Sequence, residues 1–114
     1  MKITSRDDPV NGLEIEVSDI TKADVWSLDV SLATIALPLP EHYKKEVDGY
    51  PVGIDKDDLP PELADAEGIE QWLWILDELI WTMGNIVKFV EDDDESRERE
   101  GLRLFAKYFR NLWI

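Results

Sequence analysis

From the first residue, apolar and polar positions alternate in two short runs, around Lys2–Thr4 and over Gly12–Val17, where Leu13, Ile15 and Val17 interleave with Glu14 and Glu16. A period of two sends successive side chains to opposite faces of a strand, which predicts a small strand or hairpin. The period then changes. Ser18-Asp19-Ile20-Thr21 supplies several N-cap side chains and Asp24 falls in the first turn beyond them, so a helix is expected from near Lys22. In that helix Val25, Leu28, Leu32 and Ile35 form one stripe, and Trp26, Val30, Ala33 and Leu37 form a second beside it. Two adjacent stripes predict a well-buried helix. Pro38 and Pro40 lack amide donors and restrict their neighbours, so the helix should stop or kink near Leu37, with a short turn over residues 41–46.

Residues 47–68 are rich in Gly, Pro and Asp and sustain no period, which predicts a long connecting loop, with a short helical turn at Pro60-Pro61-Glu62. A loop of about twenty residues is long for a small domain and is usually functional or mobile. From Ile69 to about Val90, Trp72, Leu76, Leu79, Ile80, Met83, Ile86, Val87 and Val90 keep the i, i+3/i+4 spacing of an amphipathic helix. That segment is also apolar at Leu73, Trp74, Ile75 and Trp81, so it should lie centrally in its own domain or against another subunit. The run Glu91–Glu95 opposes a helix C-terminus and favours a following N-terminus, which places a turn there. Leu102, Phe105, Ala106, Phe109, Leu112 and Trp113 mark the apolar stripe of a last helix running to the end of the chain. The expected class is mainly α: one compact three-helix domain, residues 1–114, with a small N-terminal β element.

Composition narrows the chemistry. The 114 residues suit a single core, and the absence of cysteine excludes disulfides, thiolate nucleophiles and cysteine-ligated metal. Apolar packing must then hold the fold, and five tryptophans are its largest resource. No apolar stretch is long enough for a membrane span or a signal peptide, so the expectation is a cytoplasmic protein with no membrane partner. A formal net charge of -14 repels nucleic acid, so direct nucleic-acid binding is not expected. The charge is uneven: residues 1–40 sum to -4, 41–95 to -13 and 96–114 to +3.

That basic tail holds the most specific local pattern. Arg99, Arg103, Lys107 and Arg110 are spaced 4, 4 and 3 apart and flank the apolar stripe of one helix. Such a ridge suits a phosphate, a nucleotide or an acidic partner through charge-assisted Arg contacts. It equally suits a helix whose cations complement its own dipole and pair with Glu95, Glu98 and Glu100. The acidic runs Asp55–Asp58 and Glu91–Glu95 lack the alternation, central Gly and terminal Glu of a calcium loop, so no metal is expected. They also admit another use, imitation of DNA toward a nucleic-acid-binding protein. His42 has no second histidine and no nucleophile-elbow serine, which points away from an enzyme and toward a surface residue. Asp29 and Asp77 interrupt apolar helical stretches and should be partly buried with partners. Trp26, Trp72, Trp81 and Trp113 fit core positions; Trp74 points off that face and is a candidate oligomer or ligand surface.

Three segments together resemble a known family. They are Trp26-Ser27-Leu28-Asp29 running through Ala33 to Pro38, then Asp48-Gly49-Tyr50-Pro51, then Trp72 to Trp81 with the ending Glu100-Gly101-Leu102-Arg103-Leu104-Phe105-Ala106-Lys107-Tyr108-Phe109-Arg110-Asn111-Leu112-Trp113. The likeness is to small tailed-bacteriophage proteins of no assigned activity, and the segments that carry it make up about one-third of the chain. In this chain Leu37-Pro38-Leu39-Pro40 lacks the basic residue the family tends to place after that proline, and Met83 replaces a usual aromatic. The resemblance implies a phage origin and an accessory, non-virion role in the infected host cell. Together with the basic ridge it implies a non-enzymatic counter-defence antagonist without cofactor, a homo-oligomer that captures a host protein or a small anionic nucleotide. The binding residues would be Arg99, Arg103, Lys107, Arg110 and Trp74, and the alternative is an acidic DNA mimic using residues 41–95.

Overall fold

A computed structural model describes residues 1–88 and 95–113. The N-terminal alternation forms an antiparallel hairpin in which β1 (Lys2–Asp8) pairs with β2 (Gly12–Ser18). Ile3 lies opposite Val17, Ser5 opposite Ile15 and Asp7 opposite Leu13, so these pairs share one face. The other face carries Arg6 paired with Glu14. The turn closes on Asp8, whose carboxylate accepts from the amides of Val10 at 2.8 Å and Asn11 at 3.2 Å, and Gly12 takes the positive φ of 80° that the turn requires.

The first predicted helix is divided. It consists of α1 (Lys22–Trp26), α2 (Leu28–Ala36) and α3 (Pro38–Glu46). The amide of Thr21 donates to Asp24 at 2.8 Å, the reciprocal arm of a capping box that begins α1 where the sequence placed it. The helix breaks at Leu37 as expected, with α2 ending at Ala36 and α3 beginning at Pro38, but the turn expected over residues 41–46 is helix. As the first residue of α3, Pro38 needs no amide acceptor, and Leu37 keeps right-handed helical angles. The deeper correction concerns burial. Of the two stripes on α1 and α2, only Ala33 is buried; Trp26 is 76% exposed and Val25, Leu28, Leu32 and Ile35 all face solvent. Asp29, expected to be partly buried, is exposed for the same reason.

The core lies where the strongest period lies. After the loop come α4 (Gly68–Lys88) and α5 (Glu95–Tyr108), followed by a 3-10 turn over Phe109–Asn111. Trp72, Ile75, Leu76, Leu79, Leu104 and Tyr108 form one buried cluster with Leu59 from the loop, and Trp72 meets Tyr108 edge to face at 6.0 Å. The end of the predicted α4, residues 89–90, and the acidic turn at 91–94 lie outside the described residues.

On α5 the inward face is Gly101, Leu104 and Tyr108, whereas Leu102, Phe109 and Trp113 of the expected stripe are exposed. The reason is the helix crossing. A Cβ on Gly101 would sit 1.7 Å from Thr82 Oγ1 and 2.8 Å from Thr82 Cβ, so α5 approaches α4 at the one residue without a side chain, and that contact sets its rotation. Further along the crossing, Asn85 Nδ2 donates to Glu98 at 2.9 Å. Arg97 lies 3.9 Å from the centroid of the Trp81 ring while bonding Glu78 at 3.1 and 3.2 Å.

This crossing makes Gly101→Ala a sharp test. The substitution is expected to lower urea-unfolding stability by about 2 kcal/mol through overpacking, with part recovered in the Thr82→Ala double variant. Unchanged stability in Gly101→Ala would mean that the helices are not in contact there.

Candidate functional site

The predicted ridge sits on α5, but its cations are not free. Asp58 ends a 3-10 turn, Lys56–Asp58, in the middle of the long loop, and its side chain is only 4% exposed. Asp55 begins that turn by accepting the amide of Asp57 at 2.9 Å, which aims Asp58 inward. Arg103 Nη2 donates to Asp58 Oδ1 at 2.6 Å; Lys107 Nζ and Tyr108 Oη donate to Oδ2 at 2.6 and 2.8 Å. Lys107 also reaches Asp55 at 3.1 Å, Tyr108 Oη accepts the Asp55 amide at 3.2 Å, and Arg103 pairs with Glu100. Arg99 pairs with Glu95 at 2.6 Å one turn earlier, and Arg110 is exposed on the terminal 3-10 turn.

The electrostatics follow from those contacts. Burial by itself pushes the Asp58 carboxyl up, yet hydrogen bonds from Lys107, Arg103 and Tyr108 outweigh it and bring it down to about 2. The Arg103 guanidinium and the Lys107 ammonium are pushed up by the carboxylates they bond: Glu100 then Asp58 for the first, Asp58 then Asp55 for the second. The Tyr108 hydroxyl is raised chiefly by burial. The group is therefore a fully charged lock joining the loop to the last helix, with three donors on one buried carboxylate.

Three of the four ridge cations thus face carboxylates of their own chain, and an anion approaching Arg103 or Lys107 meets the negative field of Asp58, Asp55 and Glu100. Glu95 and Glu100 as partners were legible from helical spacing. Asp58 was not, because it lies 45 residues before Arg103; the one sequence signal was an acidic residue directly before Leu59-Pro60-Pro61, in a loop that must dock somewhere. Trp74 is also placed otherwise than expected: it is half-buried and packs on the core cluster. The apolar surroundings that made α4 greasy on several sides fill that side from within the chain. Asp77 is exposed and bonds Lys44 at 2.6 Å, tying α3 to α4. His42 is exposed on α3, 3.4 Å from Glu46. Among the described residues, no group of three or more His, Asp or Glu is placed to hold a metal ion, and no helix is long and apolar enough to cross a membrane.

A second feature was not visible in the periodicity. The end of α3, residues 47–51 and the terminal 3-10 turn enclose a cleft of about 180 Å³, walled by Tyr43, Tyr50, Pro51, Trp72 and Trp113, with Asp48 and Asn111 also in its lining. The Tyr43 hydroxyl donates to the Trp113 carbonyl at 3.1 Å and fixes one side of the cleft. The Tyr50 ring rests on Gly68, where a Cβ would lie 2.2 Å from it, and fixes the other. Trp72 is fully buried, and its Nε1–H finds no acceptor among the described residues. Such unmet donors are uncommon in a folded interior.

With fold and site in view, comparison adds no relative: no family model matches the chain, and no curated protein or solved structure matches it.

The lock predicts both the cost of its loss and its pH dependence. Asp58→Ala leaves two cations without their shared partner and is expected to cost about 3 kcal/mol of stability. With a folded value near 2 against an ordinary 3.8, the unfolded state binds the extra proton between those limits. The Asp58 contribution, about 2 kcal/mol, is therefore complete above pH 4 and declines as the pH falls toward 2. Urea titrations across that range should show a shallower acid decline in Asp58→Asn than in the unsubstituted chain.

Proposed function

We propose that this chain is a bacteriophage accessory protein that acts by stoichiometric binding, an antagonist that captures a host protein in the infected cell, working as a homo-oligomer. The observation that carries the binding reading is the aromatic cleft with its exposed rim. Of its lining residues, Trp113 is 73% exposed and Tyr50 is more than half exposed. Aromatic residues and Arg concentrate at protein-binding hot spots, where one anchoring side chain enters a pocket. The magnitude favours a protein target over a nucleotide. Small-molecule sites usually occupy about 300–1,000 Å³, whereas this cleft of 180 Å³ has room for one bulky side chain.

The lock bears on the same choice. Arg103 and Lys107 each hold Asp58 at 2.6 Å, so a nucleotide approaching them meets a carboxylate already in contact. The phage setting rests on the resemblance of the Trp-x-Leu-Asp, Gly-x-Pro and Gly-Leu-x-Leu-Phe-Ala-Lys-Tyr-Phe segments, of which the last explains itself structurally: Gly101, Leu104 and Tyr108 face α4, and Lys107 faces Asp58.

Native mass spectrometry of the protein recovered from infected cells tests the reading. A host protein in fixed stoichiometry is expected, lost in the Tyr50→Ala/Trp113→Ala double variant while folding is kept. A retained nucleotide would replace host-protein capture by nucleotide capture. A nucleic-acid-binding host protein retained equally by the double variant, and displaced by DNA, would transfer the function to the acidic surface.

A further inference from the structure

The exposed side chains of α1, α2 and α3 are not scattered. Val25, Leu28, Leu32, Ile35 and Leu39 follow one another at spacings of 3, 4, 3 and 4, and all five are at least 36% exposed. Within α2 the steps from Leu28 to Leu32 to Ile35 are those by which helices interdigitate as knobs into holes, while Val25 and Leu39 extend the apolar line onto α1 and α3, beyond the breaks at Ser27 and Leu37. The hairpin presents a second bare apolar face, Ile3, Leu13, Ile15 and Val17, of which Leu13 reaches a groove it shares with Leu39 and Met83. A two-stranded hairpin alone is marginal in water and needs packing on its apolar side.

Two quantities identify what covers these faces. A compact monomer of 13.2 kDa should expose about 6,400 Å², yet the chain exposes 8370 Å², about 2,000 Å² more. Its Cα radius of gyration is 16.1 Å, against about 13 Å for a compact domain of this length. The shape is a slab of 48 × 44 × 19 Å. If two such chains each covered their excess, the interface would total about 4,000 Å², the size of an obligate homodimer. Charge selects the place. Two copies at -14 each repel over most of their surface, but residues 25–40 hold a single charge, Asp29. A second copy meets least repulsion there.

The geometry points to a twofold dimer in which the seam Val25–Leu28–Leu32–Ile35–Leu39 packs against the same seam of a second copy, with the hairpin face closing over its margin. An isologous axis sets a residue opposite itself, and the midpoint of the seam is Leu32. This dimer is the homo-oligomer of the functional reading given a surface. None of the five seam residues lines the aromatic cleft.

The chain has no cysteine, so single cysteines report proximity without background. Under mild copper–phenanthroline oxidation, Leu32→Cys is expected to form a covalent dimer at least about tenfold faster than Val52→Cys, placed at the fully exposed Val52. Sedimentation analysis should give a dimer for the unsubstituted chain, and a monomer of unchanged far-ultraviolet helicity for Leu32→Glu. Ile15→Lys, on the hairpin, should weaken the dimer in the same assay. A monomeric mass for the unsubstituted chain at every concentration, or equal cross-linking at Leu32 and Val52, overturns the assignment. Trp113→Ala should remain dimeric. A dimer that captures no host protein would remove the functional reading alone, and a monomer that captures one would remove the dimer alone.

Discussion

A buried carboxylate has to be neutralised, and in this chain the neutralisation of Asp58 decides where the long loop and the last helix go. Three donors from two adjacent turns of α5, on Arg103, Lys107 and Tyr108, converge on its two oxygens. Coulombic attraction in a partly water-free site recovers the desolvation cost only when the geometry is good and further hydrogen bonds meet the lone pairs, and here two donors reach Oδ2 and one reaches Oδ1. The consequence reaches beyond the pair. Leu59 follows directly into the core beside Trp72 and Leu104, so the ionic lock and the apolar cluster fix the same stretch of loop from two sides.

This arrangement explains the uneven charge of the chain. Much of the basic tail is counter-charge that lets acidic segments distant in sequence lie against α5. Arg97 does likewise with Glu78 of α4. What remains for recognition is aromatic and apolar: the cleft between Tyr50 and Trp113, and the uncharged seam of the first three helices. The two serve different ends. A pocket with room for one side chain suits an anchor of a partner, whereas a long uncharged stripe on a strongly acidic protein suits the one partner whose charge is the same as its own.

In the ending Gly101-Leu102-Arg103-Leu104-Phe105-Ala106-Lys107-Tyr108, the glycine is the crossing point, Leu104 and Tyr108 are core, and Arg103 and Lys107 close the lock. A segment so constrained by packing looks specific without touching any ligand. The Gly49-Tyr50-Pro51 segment differs, because it lines the cleft.

The sequence by itself determined the local elements: the alternation of Leu13, Ile15 and Val17 for the hairpin, the capping residues before α1, the unbroken period from Trp72 through Met83 for the central helix, and the pairing of Arg99 and Arg103 with the glutamates one turn before them. Each depends on interactions a few residues apart, which periodicity and capping chemistry report directly. Tertiary structure alone decided which apolar faces found a partner. Val25, Leu28, Leu32 and Ile35 have the same spacing as a core stripe yet face solvent, because amphipathicity states that a face seeks cover and not whether its own chain supplies it. The rotation of α5 was settled by the close approach of Gly101 to Thr82, and the fate of the basic ridge by a carboxylate 45 residues away. Contacts of that separation leave no periodic trace in a sequence, since the geometry that joins them exists only after the chain has folded.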